Sequence, residues 1–509
     1  MTVSESGAQP RGQTFCPADR RRYVLVAAIL ASALGFIDGS VVSIAIPAIR
    51  ADLGASLADA QWISNAYALT LSALILVGGA AGDTFGLRRT FSISIALFVA
   101  ASVLCAIATT PGWLIAARAI QGAAAAFMVP GSLAIIAKAY PKAERGRAIG
   151  IWAASSALTT ALGPVFGGVV LSSFGDDVWR WIFGINLPLG AIAVFLLLAR
   201  VPADRPAEQR KLDIGGALAA TAALGTLAYA LTAIGGEGGG LSAGSFAATF
   251  AAGLVLLVGF LLWEARHAEP MLDLSLFASR SFAGANAATF CLYFALSGIL
   301  FYLPMLLISG WGKSPAEAGF IFLPLSAAIG LLSGPVGKLS DAVGPRLPIA
   351  GGSLVVAIAF AGLAIATGLG YHGFWTGVFP LMVVMGLGMA LVVSPLSTAV
   401  MTAVEDDETG AASGINNAVS RIAGLLAVAA MGGVVALSYN GVGDGIAGFP
   451  GFGETAKQPL AADVEARRVA ASDAAFAAVA WVTAVLSLLS ALIAWWTVPG
   501  RIDPADTPG

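Results

Sequence analysis

Long apolar runs recur from residue 23 to residue 497 and constrain this chain more than any other feature. A membrane-spanning helix needs about 20 consecutive, mostly apolar residues. Fourteen runs of this kind cover residues 23–48, 61–82, 90–109, 112–138, 146–172, 181–199, 213–234, 244–264, 283–309, 316–337, 347–369, 374–401, 411–438 and 473–497. Only 11% of the residues are charged, against about 25% in soluble proteins. The sequence therefore predicts an all-α integral membrane protein with fourteen transmembrane helices, packed in membrane lipid.

The charges between these runs predict the orientation of the chain. Three arginines, Arg20–Arg22, precede the first run and resemble the start of a signal peptide, including the twin-arginine type. The run continues to Ile49, however, which is too long for a cleavable segment. An even number of spans places both termini on one side, and 20 of the 27 Lys and Arg residues fall on that side, with six opposite and Arg118 inside a span. Because cytoplasmic segments are enriched in Lys and Arg, we expect a multi-pass protein of a bacterial plasma membrane with both termini cytoplasmic.

The composition excludes several kinds of site. Three widely separated cysteines and two histidines do not suggest a disulfide framework or a metal site. The segment Gly310–Ser314 resembles the end of a phosphate-binding loop, but Leu307 replaces the required glycine and no strand precedes it. We therefore expect no cofactor, metal, nucleotide or nucleic acid, and no enzymatic activity.

One loop motif occurs twice in the chain. Its two copies are separated by 258 residues and comprise Gly79, Asp83, Gly86 and Arg88, followed by Gly337, Asp341, Gly344 and Arg346. Parallel structural repeats of this kind are a transporter architecture. The predicted division is a tail at 1–22, a six-helix bundle at 23–200, a two-helix insert at 201–272, a second six-helix bundle at 273–498 and a tail at 499–509. Residues 439–472 form its long outer loop, and a surface helix is expected near 461–472.

Two groups of residues are candidates for conformational change. The repeated motif, extended by Arg89, combines small residues with an acid and bases at helix ends. Its contacts can therefore form in one conformation and break in another. The alternative is that the motif is only a tight turn. The fifth span contains Gly163, Pro164, Gly167 and Gly168. Proline kinks a spanning helix and glycines permit close helix packing. Ordinary helix packing is the alternative there.

Ionisable residues inside apolar runs are the sharpest candidates for function, because a charge within the membrane is costly. Arg118 and Gln121 share one face of the fourth span, and Asp38 lies in the first. At about 1.5 Å of rise per residue, all three fall roughly 9–13 Å from the same membrane face. The sequence predicts that Asp38, Arg118 and Gln121 form a proton-coupling site. The alternatives are a structural ion pair, or an Asp38 that faces a water-filled vestibule unpaired.

Aromatic and amide side chains are candidates to line a substrate cavity. Trp62, Asn65 and Tyr67 open the second span, and Trp152 and Tyr293 lie in the fifth and ninth. An interfacial anchor is the alternative for Trp62, and core packing is the alternative for each of the others.

Together these motifs resemble the major facilitator superfamily, and specifically its fourteen-helix drug:proton antiporter family. The resemblance covers nearly the whole chain, through Leu34–Asp38, Trp62–Tyr67, Gly79–Arg89, Arg118–Gly122, Gly163–Gly168, Trp179–Phe183 and Gly410–Asn417 with Arg421. On that basis Asn416 is placed in the substrate cavity. Thr84 and Leu87 stand where this family often has bases, and the interiors of the tenth and thirteenth spans contain no acid. This departure argues against dicationic substrates and leaves Asp38 as the main proton carrier.

The resemblance implies a monomeric secondary exporter that exchanges protons for small amphipathic drugs or toxic molecules by alternating access. Proton-coupled or facilitated uptake of a metabolite is the alternative function. A membrane sensor or enzyme is less favoured, because the sequence shows no catalytic triad, metal cluster or soluble sensory domain.

Overall fold

The computed structural model describes residues 14–204, 212–234, 241–405, 408–439, 449–456 and 458–500. Within these ranges the chain is helical and has no strand. The helices are α1 (Arg21–Leu53), α2 (Leu57–Phe85), α3 (Leu87–Ala106), α4 (Pro111–Ala139), α5 (Lys142–Phe174), α6 (Trp179–Gly184), α7 (Asn186–Arg200), α8 (Ile214–Ala233), α9 (Ala243–Glu264), α10 (Arg280–Met305), α11 (Pro315–Gly319), α12 (Leu323–Val343), α13 (Arg346–Gly368), α14 (Phe379–Met401), α15 (Thr409–Tyr439) and α16 (Ala462–Thr497). They provide fourteen segments that are long and apolar enough to cross a membrane, which confirms the predicted fold class.

Two predicted boundaries differ from the structure in an informative way. The surface helix expected near 461–472 is not separate, because α16 runs without a break from Ala462 to Thr497. No Gly or Pro interrupts this stretch, and both are the usual helix breakers. The sixth span, by contrast, begins earlier than expected and is divided at Ile185 between α6 and α7. In the predicted outer loop 439–472, residues 440–448 and 457 lie outside the described residues.

Local sequence signals explain several helix ends. Ser56 caps α2 through a capping box with Asp59, which satisfies otherwise unpaired N–H groups of the first turn. Gly86 separates α2 from α3 with φ +92°, and Gly344 separates α12 from α13 with φ +82°. Glycine adopts this backbone region far more readily than other residues. The last glycine of the repeated motif therefore has the same structural role in both copies.

The helices pack mainly in two groups, α1–α7 and α10–α16, while α8 packs on α2 and α15 and α9 packs on α8. We call the face where α1 begins and α2 ends the proximal face, and the opposite face the distal face. The larger apolar core extends from α1, α2 and α5 into α10–α16, so it joins the two groups. A second core lies within the first group near the proximal face.

Candidate functional site

A closed hydrogen-bond network lies at the centre of the first group. Arg118 of α4 donates through Nη1 to Asp38 Oδ2 of α1, and to Gln121 Oε1 at 2.6 Å. Gln121 Nε2 in turn donates to Asp38 Oδ1 at 2.9 Å. Asp38 is fully buried and Arg118 is 2% exposed. The structure thus brings together the three residues that the apolar runs single out.

Further groups from α2, α3 and α7 hold this network in position. Arg118 Nε donates to the carbonyl oxygen of Ile63 at 3.1 Å, and its guanidinium lies 4.4 Å from the centroid of the Tyr67 ring. Ser102 accepts from Gln121 Nε2 at 2.9 Å and from Asn186 Nδ2 at 3.1 Å. Sequence reasoning missed Ser102 entirely. The sequence signal that could have found Ser102 is a serine in the third apolar run at about the same depth as Asp38 and Gln121.

The network is suited chemically to a change of charge. Asp38 and Arg118 compensate each other while the carboxylate is ionised, and loss of one partner of a buried pair costs about 3–5 kcal/mol. Uptake of a proton by Asp38 removes its charge and weakens its hold on Arg118. One proton therefore changes which contacts of the Arg118 guanidinium are favourable.

The two helix groups are locked together at the distal face. Gln61 Nε2 of α2 donates to the Tyr302 hydroxyl at 2.6 Å and to the carbonyl oxygen of Val428 at 2.8 Å. Tyr302 also donates to that carbonyl oxygen, at 2.7 Å. Arg50 at the end of α1 donates to the carbonyl oxygen of Phe452 at 2.5 Å. We refer to this arrangement as distal-closed.

The glycines of the fifth predicted span form the other part of the distal closure. A Cβ atom added to Gly168 would lie 2.3 Å from the carbonyl oxygen of Pro315, and one added to Gly319 would lie 2.6 Å from that of Pro164. On the neighbouring face of α5, a Cβ on Gly167 would lie 2.4 Å from a methyl carbon of Val41, and Gly163 lies over Ile37 of α1. These glycines therefore allow α5 to contact α1 and α11 more closely than any other residue would.

The repeated motif lies at the proximal face, where its two acids are exposed. Asp83 and Asp341 make no ion pair or side-chain hydrogen bond within the described part of the chain. The arginines act in parallel: Arg88 donates to the carbonyl oxygens of Leu197 and Leu198 at the end of α7, and Arg346 donates to that of Val498 at the end of α16. Each copy therefore attaches a connection to the last helix of its own group.

The other members of the motif have less specific surroundings. Arg89 is exposed, and a Cβ on Gly79 would have no neighbour within 4 Å. The closely packed glycines of α2 are instead Gly78 and Gly82. A Cβ added to Gly78 would lie 2.1 Å from the carbonyl oxygen of Ala126, and one added to Gly82 would lie 2.5 Å from a methyl carbon of Leu87. A Cβ on Gly337 would make only an ordinary contact, at 3.5 Å from Ser394.

Asp204 is a structural residue of this face that the sequence did not reveal. Its carboxylate accepts the backbone N–H groups of Leu87 and Arg88, both at 2.9 Å, and the ammonium of Lys138 at 3.0 Å. Burial alone would raise the pKa of Asp204, but the Arg88 N–H, the Lys138 ammonium and the Leu87 N–H outweigh it and lower the pKa. Asp204 thus joins the start of α3 to the end of α4.

The predicted cavity residues have varied surroundings. Trp62 packs on a cluster from α8 and α15, and Trp152 Nε1 donates to Ser32 Oγ at 2.8 Å. Asn416 donates to Asn286 at 3.2 Å and to Thr289 at 2.8 Å, both in α10. Asn65 is 1% exposed, and neither polar atom of its side chain has a hydrogen-bond partner among the described residues. Tyr67 and Tyr293 both interact electrostatically with Arg421 of α15.

In the part of the chain that the structure describes, no three His, Cys, Asp or Glu side chains form a group suited to a metal ion.

Comparison with known proteins gives consistent results. The sequence profile of the Major Facilitator Superfamily matches residues 28–428. Multidrug resistance protein Stp of Mycobacterium tuberculosis (strain CDC 1551 / Oshkosh) is 34% identical, over 80% of this chain and 75% of that protein. The puromycin resistance protein pur8 of Streptomyces alboniger is 32% identical, over 97% and 94% of the two chains. The tetracenomycin C resistance and export protein of Streptomyces glaucescens is 30% identical, over 85% and 80%.

Solved structures show the same fold at low sequence identity. A bacterial homolog of the human lysosomal transporter Spinster matches with a TM-score of 0.67 and 18% identity, over 96% of this chain and 100% of that chain. The xylose transporter XylE from E. coli matches with a TM-score of 0.59 and 15% identity, over 95% and 98% of the two chains.

Proposed function

This chain belongs to the major facilitator superfamily, and we propose that it is a proton-driven exporter of small amphipathic toxic molecules. The observation that carries the proposal is the buried Asp38–Arg118–Gln121 network, because an ionisable group within a membrane span is expensive and usually functional. The relatives named above for resistance and export favour efflux over uptake.

In the proposed cycle, Asp38 binds a proton from the outside and releases it to the cytoplasm. Protonation frees Arg118 from its carboxylate partner, and the central contacts of the first group then rearrange. The two helix groups rock about the site and expose it alternately to the two sides. We assign the proximal face to the cytoplasm because most Lys and Arg residues of the described ranges lie there, so the distal-closed structure is closed toward the outside. The protein acts as a monomer.

The test replaces Asp38 with Asn, which keeps the shape of the side chain and removes its charge. Purified protein in proteoliposomes is given an imposed pH gradient, and efflux of tetracenomycin C is followed. We expect Asp38→Asn to abolish the response to the pH gradient. Asp52→Asn is the control, because Asp52 lies in the same helix but bonds Trp179 and Arg180 at the distal end.

Two results would contradict the proposal. Full pH-driven efflux by Asp38→Asn would remove the carboxylate from the coupling mechanism. Accumulation of a compound against its gradient in the direction of the incoming proton would identify the protein as an uptake symporter instead.

A further inference from the structure

Arg421 is a cation between the two helix groups that the proposed proton chemistry does not use. The charge count that predicts the orientation places Arg421 with the cytoplasmic residues, but this is wrong, because Arg421 lies inside the thirteenth span, within α15, and is partly exposed. Its Nε donates to Asn417 Oδ1 at 3.0 Å, one turn away on the same helix. Within the described ranges the Arg421 guanidinium forms no ion pair. A guanidinium at this depth is costly without a counter-charge.

The helix register places Arg421 at the level of the proton-coupling network. The antiparallel helices α2 and α15 touch where Gln61 meets Val428 and, nearer the proximal face, where Leu76 lies 3.2 Å from a Cβ added to Gly414. Arg421 lies midway between Gly414 and Val428. It therefore faces the middle of α2, where Tyr67 lies. Gly414, Arg421 and Val428 are spaced seven residues apart and therefore lie close to one face of α15, the face that contacts α2. The guanidinium thus points between the two groups, where it interacts electrostatically with Tyr67 of α2 and Tyr293 of α10.

The charges at this level do not balance. Asp38 and Arg118 neutralise each other, and Arg421 adds one uncompensated positive charge. When Asp38 is protonated the excess rises to two. The space between the two groups is therefore positive in both protonation states, and a negatively charged group is the ligand that restores neutrality.

Asn65 provides a second, independent observation. It lies one turn below Gln61 on α2, and residues four apart on a helix share a face. Gln61 reaches α15 through Val428, so Asn65 belongs to the face of α2 that is turned toward α15. Within the described ranges both polar atoms of the Asn65 side chain are buried without a partner, and a buried polar group that is left unsatisfied destabilises the protein. A ligand that reaches this face would supply the missing hydrogen bonds.

We propose that the exported substrate is an aromatic anion whose carboxylate or phenolate pairs with Arg421. Its ring system packs against Tyr67 and Tyr293, and a polar substituent bonds Asn65. The inference rests on the proposed export function and names the substrate class for the same central site.

The test uses three probes that share one aromatic core: 9-anthracenecarboxylate, its uncharged methyl ester and the cation 9-(aminomethyl)anthracene. Binding to the purified protein is measured by quenching of tryptophan fluorescence. We expect the wild-type protein to bind the carboxylate at least about tenfold more tightly than the ester or the cation, as one charged hydrogen bond provides. Arg421→Gln should bring the three dissociation constants together. Arg421→Lys, which keeps the charge, should retain a preference for the carboxylate.

The variants distinguish a failure of this inference from a failure of the proton-coupling proposal. Asp38→Asn should keep the preference for the carboxylate even though its pH-driven efflux is lost. The inference is overturned if the wild-type protein prefers the ester or the cation, or binds none of the three below millimolar concentration. It is also overturned if Arg421→Gln keeps the preference but stops pH-driven efflux, because Arg421 would then be an internal counter-ion of the proton cycle.

Discussion

Replacing Gly168 with Ala should shift the protein away from the distal-closed conformation. The added methyl carbon would lie 2.3 Å from the carbonyl oxygen of Pro315, whereas ordinary carbon–oxygen contacts are about 3.3–3.6 Å. The helices α5 and α11 must therefore separate by about 1 Å at this point. They cannot do so freely, because the Ala316 N–H donates to Ser172 Oγ at 3.0 Å across the same contact.

The size of the shift follows from the cost of overpacking. An added methyl group in a well-packed interface costs about 1–3 kcal/mol, which is roughly a 5- to 150-fold change in an equilibrium constant. The cost applies only where the distal ends touch. The conformation in which the distal ends are apart, called distal-open, should thus become about 5- to 150-fold more populated relative to the distal-closed conformation.

Gly150→Ala is the matched control, because Gly150 lies in the same helix and an added Cβ there meets nothing within 4 Å. It gains up to about 1 kcal/mol of helix propensity in either conformation, so the balance between conformations should not move.

The populations can be measured as distance distributions between two spin labels at the distal ends of α5 and α15. Phe174 and Leu437 are 73% and 84% exposed and suit labelling, after replacement of the buried cysteines Cys16, Cys105 and Cys291. A Gly168→Ala distribution identical to that of the wild type, or a shift shared with Gly150→Ala, would refute the assignment of this contact to the distal closure.

Two further predictions concern charged contacts within the first helix group. Arg118→Gln should lower the midpoint of thermal unfolding, because it leaves Asp38 buried without a counter-charge and costs at most about 3–5 kcal/mol of stability. Arg118→Lys should recover part of this stability. An unchanged midpoint for Arg118→Gln would contradict the pairing. Asp204→Asn should cost about 1–3 kcal/mol near pH 7. The folded-state pKa of Asp204 is lowered from its ordinary value of 3.8. The stabilisation that the ionised carboxylate provides is therefore complete above pH 3.8 and is lost as the pH falls through the folded-state pKa. The difference in thermal midpoint between the wild type and Asp204→Asn should accordingly disappear in acid. Asp19→Asn, which changes an exposed carboxylate on the same face, should leave the thermal midpoint unchanged at neutral and at acid pH. A loss of stability in Asp204→Asn that does not depend on pH would exclude the charge of Asp204 as its origin.

The most predictable parts of this molecule are those that depend on one helix at a time. A spanning helix is recognised from its own apolar residues, and the depth of Asp38, Arg118 and Gln121 follows from counting residues along two such helices. Because a buried charge in a membrane span needs a partner, few pairings were available. The observed contact is the one expected.

Contacts that depend on helix rotation and on connections were not predictable. Ser102 is one of several serines in the spans, and only packing shows that it bonds Gln121 and Asn186. Asp204 follows α7 in a connection, where no periodic pattern indicates a partner. Among the glycines of α2, the motif drew attention to Gly79, whereas packing uses Gly78 and Gly82, because a rotation of one residue along a helix changes the face by about 100°.

The two central arginines also bear on how export is driven. Arg118 is held by Asp38, whereas Arg421 has no carboxylate partner within the described ranges. Tyr67 packs against the Arg118 guanidinium and interacts electrostatically with Arg421. A proton and an anionic substrate therefore occupy separate positions and need not compete directly for one group. If one proton enters for each anion that leaves, two elementary charges move in the same electrical sense. A membrane potential of about 100 mV, negative inside, contributes about 2.3 kcal/mol per charge and hence about 4.6 kcal/mol per exchange. For the proposed anionic substrate, the membrane potential would therefore contribute more than a gradient of one pH unit, which supplies about 1.4 kcal/mol per proton.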